Sequence, residues 1–68
     1  MALGENIRKR REELRLSQGY VAEQLGVSRQ AVSKWEQGIG YPEMEKMVLL
    51  SKALNVSLDY LISGEDQR

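Results

Sequence analysis

Residues 26 to 38 read "GVSRQAVSKWEQG". The stretch opens on a glycine suited to the left-handed position that ends a helix, and Ser28 is placed to cap a new one. Val32 and Trp35 then recur at the spacing of a buried helical face before Gly38 stops the run. Upstream, Ser17 caps a helix over residues 18 to 25 that turns Val21, Ala22 and Leu25 inward. Only "GVS" separates the two helices, which is too little chain for a long antiparallel pair, so they cross steeply. Ala22 falls where they pass closest, and Val27 and Val32 fill the wedge between their axes. A small residue, a four-residue gap, a glycine and then buried β-branched side chains spell a helix-turn-helix over about residues 18 to 37.

Working outward, Leu3, Ile7 and Leu14 recur at helical spacing with charges on the other face, which predicts a first helix over residues 3 to 15. Pro42 favours the first position of a fourth helix over residues 42 to 54, whose positive end suits Glu43 and Glu45. Met44, Met47, Val48, Leu50 and Leu54 supply its buried stripe. Asn55 terminates it, Ser57 caps again, and Leu58, Leu61 and Ile62 anchor a short fifth helix ending at Gly64. No repeat, low-complexity stretch or strand pattern interrupts the run. The expected fold is all-α: one compact five-helix domain over residues 1 to 64, followed by a polar tail at 65 to 68 that reads equally well as an end or as the start of a linker.

Composition narrows what such a domain can do. The chain has 68 residues, no cysteine and no histidine. Disulfides and thiolate metal sites are excluded, and the usual general base is missing, so the sequence argues against an enzyme and against any cofactor or metal. With no apolar run near the roughly 20 residues needed to cross a bilayer, the protein is expected to be soluble and cytoplasmic. Ten basic and ten acidic residues cancel. Their distribution is uneven: residues 1 to 36 carry seven basic side chains (Arg8, Lys9, Arg10, Arg11, Arg15, Arg29, Lys34) against five acidic, and residues 37 to 68 carry three against five. The halves are +2 and −2, so one face can be positive on a neutral molecule.

The whole stretch "LRLSQGYVAEQLGVSRQAVSKWEQGIGYPEMEKMVLLSKALNVSLDYLISGE" resembles the Cro/C1-type helix-turn-helix family, the phage-repressor and xenobiotic-response-element regulators. The most specific matches are "LSQ" at 16 to 18, "LGVSRQAVSKWEQG" at 25 to 38, "YPE" at 41 to 43 and "LNVSLDYL" at 54 to 61. Three positions depart from the family pattern: Gly19 replaces a helix-favouring residue, Tyr20 a more commonly acidic or small one, and Ser51 an alanine. Gly19 costs its helix about 1 kcal/mol relative to alanine. The resemblance implies a lambda-repressor-like domain whose third helix enters the DNA major groove.

Arg29, Gln30, Ser33 and Lys34 lie away from Val32 and Trp35, on the face a major groove would meet. Taken alone, four polar residues on a helix mean a solvated face. Within a complete helix-turn-helix they are base readers, since arginine can fork onto guanine O6 and N7 and glutamine can pair with adenine N6 and N7. Gln18 opens the second helix, whose free N–H groups favour a phosphate, and the family resemblance adds backbone contact there. Ser17, Gln37 and Tyr41 are adjacent candidates, and of the basic run in the first helix Arg10 is the one expected to reach phosphate. The resemblance also places Arg11 and Glu36 at the packed junction of the first and third helices, as an ion pair. The reading is a sequence-specific DNA-binding domain of a transcriptional regulator, a repressor, working as a homodimer on an approximately palindromic double-stranded operator. The competing reading is a protein-binding module, such as an antitoxin or anti-repressor, which an exposed apolar patch would favour.

Overall fold

Among residues 2–65, which the computed structural model describes, the chain forms five α-helices: α1 (Leu3–Glu13), α2 (Gln18–Leu25), α3 (Arg29–Gln37), α4 (Met44–Ala53) and α5 (Leu58–Ser63). Serine and glycine punctuate them. Ser17, Ser28 and Ser57 hold extended backbone and accept the N–H of Tyr20, Ala31 and Tyr60, each at 3.0 or 3.1 Å. Gly26, Gly38 and Gly64 end the same three helices with φ of 72°, 76° and 81°, a region that side chains rarely enter. Each cap works within a few residues of its own position, which is why all six are legible in the sequence.

The core draws on every helix. Ile7, Val21, Val32, Leu50, Leu54 and Leu61 are fully buried, with Leu3, Ala22, Leu25, Trp35 and Met47 completing the cluster. α3 packs between α1 and α2, α4 backs onto α2, and α5 closes against α1 and α4. Lys46 donates from Nζ to the Leu25 carbonyl at 2.9 Å, so a cation satisfies the end of α2 and ties α4 to the helix-turn-helix. Asn6 similarly donates to the Leu61 carbonyl at 3.0 Å, fastening α5 to α1.

Four expectations need correcting. α1 stops at Glu13, two residues short, because Arg15 takes a left-handed φ of 59° to start the turn into α2. Pro42 does not open α4; it is buried in the connection, and Glu43 occupies the N-cap without a side-chain cap bond. Met44 is then the first helical residue, and its side chain projects from the helix start into solvent, 66% exposed. Ile62 is also exposed, because the six-residue α5 has room for one fully inward side chain and Leu61 takes it. Of the polar tail expected at 65 to 68, only Glu65 lies within the described residues.

One close approach is not legible in the sequence. Gly4, near the start of α1, lies against the end of α3, where an added Cβ would stand 2.4 Å from the Trp35 carbonyl oxygen and 2.6 Å from that of Glu36. Both are backbone atoms. The absence of a side chain at residue 4 therefore sets how deeply α1 seats on α3, and with it the position of Glu36.

Candidate nucleic-acid interface

Glu36 sits near the end of α3, with its side chain 3% exposed. It is the only buried charged or polar residue among those described. A carboxylate so placed needs cationic or N–H partners to replace water, and Arg11 of α1 supplies two. Its Nε donates to Oε2 at 2.7 Å and its Nη2 to Oε1 at 3.0 Å, the fork geometry that suits arginine to carboxylate. Arg11 Nη1 donates to the Leu16 carbonyl at 2.8 Å, so the guanidinium also holds the turn between α1 and α2. The Glu36 hydrogen bond raises the Arg11 pKa above its ordinary value; burial opposes this, and the charges of Glu36 and Glu12 reinforce it. A base raised on folding adds stability that is full below its unfolded pKa and lost only as pH climbs through the folded one. Both lie beyond ordinary working pH, so the arginine side of this pair stays charged wherever the fold is studied.

The network continues outward. Gln18, at the first position of α2, donates from Nε2 to Glu36 Oε1 at 3.1 Å, and its Oε1 accepts from Arg29 Nη1 at 3.3 Å. Arg29 is exposed at the first position of α3. Four side chains thus run from the buried ion pair to the solvent face of α3. Ser33 and Gln37 form a second, shorter link one turn apart, with Gln37 Nε2 donating to Ser33 Oγ at 2.8 Å. Gln30 and Lys34 are exposed on the same helix.

Arg11, Gln18, Ser33, Glu36 and Gln37 line one shallow cleft, and Arg8 joins them. The sequence reading singles out Arg10 from the basic run of α1 and passes over Arg8. The available signal was its position three residues before Arg11, on the same face of α1. Arg10 points elsewhere: its Nε donates to the Leu54 carbonyl at 2.8 Å and Nη1 meets Glu13 Oε1 at 3.4 Å. It caps α4, because the end of that helix offers a carbonyl within its reach. Ser17 is occupied as an N-cap, and Tyr41 is 65% exposed in the connection between α3 and α4. The structure therefore gathers Gln18, Arg29, Ser33 and Gln37 around α3, leaves Gln30 and Lys34 free beside them, and does not bring Arg10 to this surface.

Two short helices packed on each other across a three-residue turn, the second presenting Arg29, Gln30 and Lys34 outward, define a class of protein, and comparison with known proteins gives the family. The sequence profile of the helix-turn-helix family matches residues 7–61. The chain belongs to the helix-turn-helix family, of the Cro/C1 type. It is 47% identical over 66 residues to the HTH-type transcriptional activator BcrR of Enterococcus faecalis, covering 97% of this chain and 32% of that protein. It is 43% identical over 63 residues to Repressor protein C2 of Salmonella phage P22, covering 93% of this chain and 29% of that one. The chain thus spans about a third of the length of these relatives. Its fold superposes with a TM-score of 0.90 on the P22 c2 repressor crystallised with a synthetic operator, at 42% identity and covering 96% of this chain and 98% of that one. Among the described residues, no helix is long and apolar enough to cross a membrane.

Proposed function

We propose that this chain binds double-stranded DNA in a sequence-specific manner as part of a transcriptional regulator, with α3 in the major groove and no chemistry of its own. The observation that carries the reading is the exposed polar face of α3, held by a buried ion pair, in a fold that superposes on a repressor crystallised with its operator. Arg29, Gln30, Ser33 and Lys34 read base edges; Gln18, Gln37 and Tyr41 hold phosphates, with Ser17 fixing the N-terminus of α2 between them. Arg8, on the cleft edge, replaces Arg10 as the phosphate-facing cation of α1. Occupying an operator requires nothing beyond this face, so repression is the action the domain can perform unaided, in the cytoplasm with the DNA it regulates. One domain covers only a few base pairs, and two are expected on an approximate palindrome with half-site centres about 34 Å apart.

The experiment is selection of bound duplexes from a random pool, followed by titration of the preferred duplex and of scrambled ones. Arg29→Ala and Gln30→Ala should keep the fold, since neither side chain is buried, and should each cost about 1 to 3 kcal/mol on the preferred site while scrambled DNA is affected less. Unchanged preference in both variants would remove base reading by α3.

The two α1 arginines separate in the same assay. Arg8→Ala should lower the slope of log affinity against log salt by about 0.9, the contribution of one phosphate contact. Arg10→Ala should leave that slope alone and instead lower stability by about 1 kcal/mol, the worth of a charged side chain on helix-end carbonyls. A salt slope that responds to Arg10→Ala and not to Arg8→Ala would reverse the assignment.

A second reading has one observation behind it: Ile39, Tyr41 and Met44 expose large apolar side chains within six residues of chain. A protein-binding module would use such a surface. Random-pool selection decides between them, since such a module would enrich no duplex.

A further inference from the structure

The contacts around Gln18 form a directional chain. At neutral pH an ionised carboxylate only accepts hydrogen bonds, whereas a glutamine amide has a donor end and an acceptor end. Glu36 has each of its oxygens engaged by Arg11, and Oε1 also receives the Gln18 amide. The end of Gln18 that faces Glu36 must therefore be its NH2 group. Its oxygen is then turned away from the core, and Arg29 Nη1 lies 3.3 Å from it. A flipped amide would set two oxygens against each other at Glu36 and two donors against each other at Arg29. Glu36 is nearly inaccessible and Arg11 is fixed on both sides, by Glu36 and by the Leu16 carbonyl, so the anchor of this chain does not drift.

We propose that Glu36 is a specificity-determining positioning residue: its carboxylate locks the amide of Gln18, and the Gln18 oxygen aims Arg29 at its base pair. The proposal rests on the DNA-reading function above and deepens it. Long arginine side chains give up considerable rotamer freedom when they bind. Holding Nη1 on Gln18 before DNA arrives removes part of that loss and leaves the edge formed by Nε and Nη2 free for guanine O6 and N7. Gln18 still has a second amide N–H for a phosphate, so holding the backbone and aiming the reader are compatible tasks. The ion pair thereby acts on base reading through Gln18 and Arg29.

The test is a double-mutant cycle read as base preference. Affinities are measured for the selected duplex and for the same duplex with the guanine pair read by Arg29 replaced, using the parent, Gln18→Met, Arg29→Ala and the double variant. Gln18→Met keeps the length of the side chain and removes both hydrogen-bonding ends. It is expected to reduce the preference at that base pair by about threefold to tenfold in the parent and not at all in the Arg29→Ala background. Glu36→Gln, assayed below its melting temperature, should relax the same base pair, because an amide at residue 36 accepts either orientation of Gln18. Equal weakening of both duplexes by Gln18→Met would mean that Gln18 holds phosphate only, and would overturn the proposal while leaving base reading intact. Full retention of preference by Glu36→Gln would overturn the role of Glu36. Should that variant not fold, the Gln18 side-chain amide of the parent decides by NMR: one proton protected from exchange supports the lock, and two freely exchanging protons overturn it. A parent with no base preference would overturn the DNA-reading function and this proposal together.

Discussion

Glu36→Ala should bring the protein close to its unfolding midpoint at room temperature. The substitution strands Arg11, whose side chain is only 13% exposed, and removes the acceptor of Gln18. Breaking a buried ion pair from one side costs about 3 to 5 kcal/mol. A single core in a chain this small supplies only about 3 to 5 kcal/mol in total, so the loss consumes the margin. Arg11 retains the Leu16 carbonyl, which points to the lower end of the range. Denaturant melts followed by circular dichroism measure the loss directly, and DNA binding should disappear with the helical signal. A Glu36→Ala protein melting within about 0.5 kcal/mol of the parent would show that the pair is exposed and incidental.

Gly4→Ala should destabilise the protein even though alanine is the better helix former by about 1 kcal/mol. The new Cβ meets backbone carbonyls of Trp35 and Glu36 at 2.4 and 2.6 Å, and backbone cannot swing aside as a flexible side chain can. α1 has to lift from α3, which costs about 1 to 3 kcal/mol in a packed interior and lengthens the Arg11 to Glu36 contact. Gly4→Val should be worse. Gly19→Ala is the internal control, because the nearest atom to its added Cβ is Ser17 Oγ at 3.9 Å. There the helix-propensity gain of up to about 1 kcal/mol should appear undiminished. If both alanine variants raise the unfolding midpoint, α1 is not seated on α3 at Gly4.

The contrast between these two glycines marks the limit of what the sequence reveals. Features fixed within one turn of helix were legible: the serine caps, the left-handed glycines, Asn55 with its φ of 54°, and the inward face of α3. Features fixed by a neighbour tens of residues away were not. Gly4 looks unremarkable until α3 is laid over it. Arg8 and Arg10 are indistinguishable in a run of four basic residues until the end of α4 claims Arg10 and leaves Arg8 on the cleft. Met44 and Ile62 satisfy an apolar pattern yet face solvent, because the pattern says which side chains are able to pack and not how many places the core has. The Arg11 and Glu36 pairing was suggested by family resemblance, but the extension through Gln18 to Arg29 needed the actual distances.

The longest of the five helices has 11 residues, and α3, which carries the reading face, has nine. Helices shorter than about 12 to 15 residues are marginal in water on their own, because nucleation is costly and few hydrogen bonds repay it. Each helix here survives only while the others cover it, so the chain has no smaller cooperative unit to fall back on. The reading face is consequently an all-or-none property of the folded domain. Loss of any supporting helix removes α3 as a helix and does not merely loosen its grip, and the fraction of molecules able to read DNA equals the fraction folded.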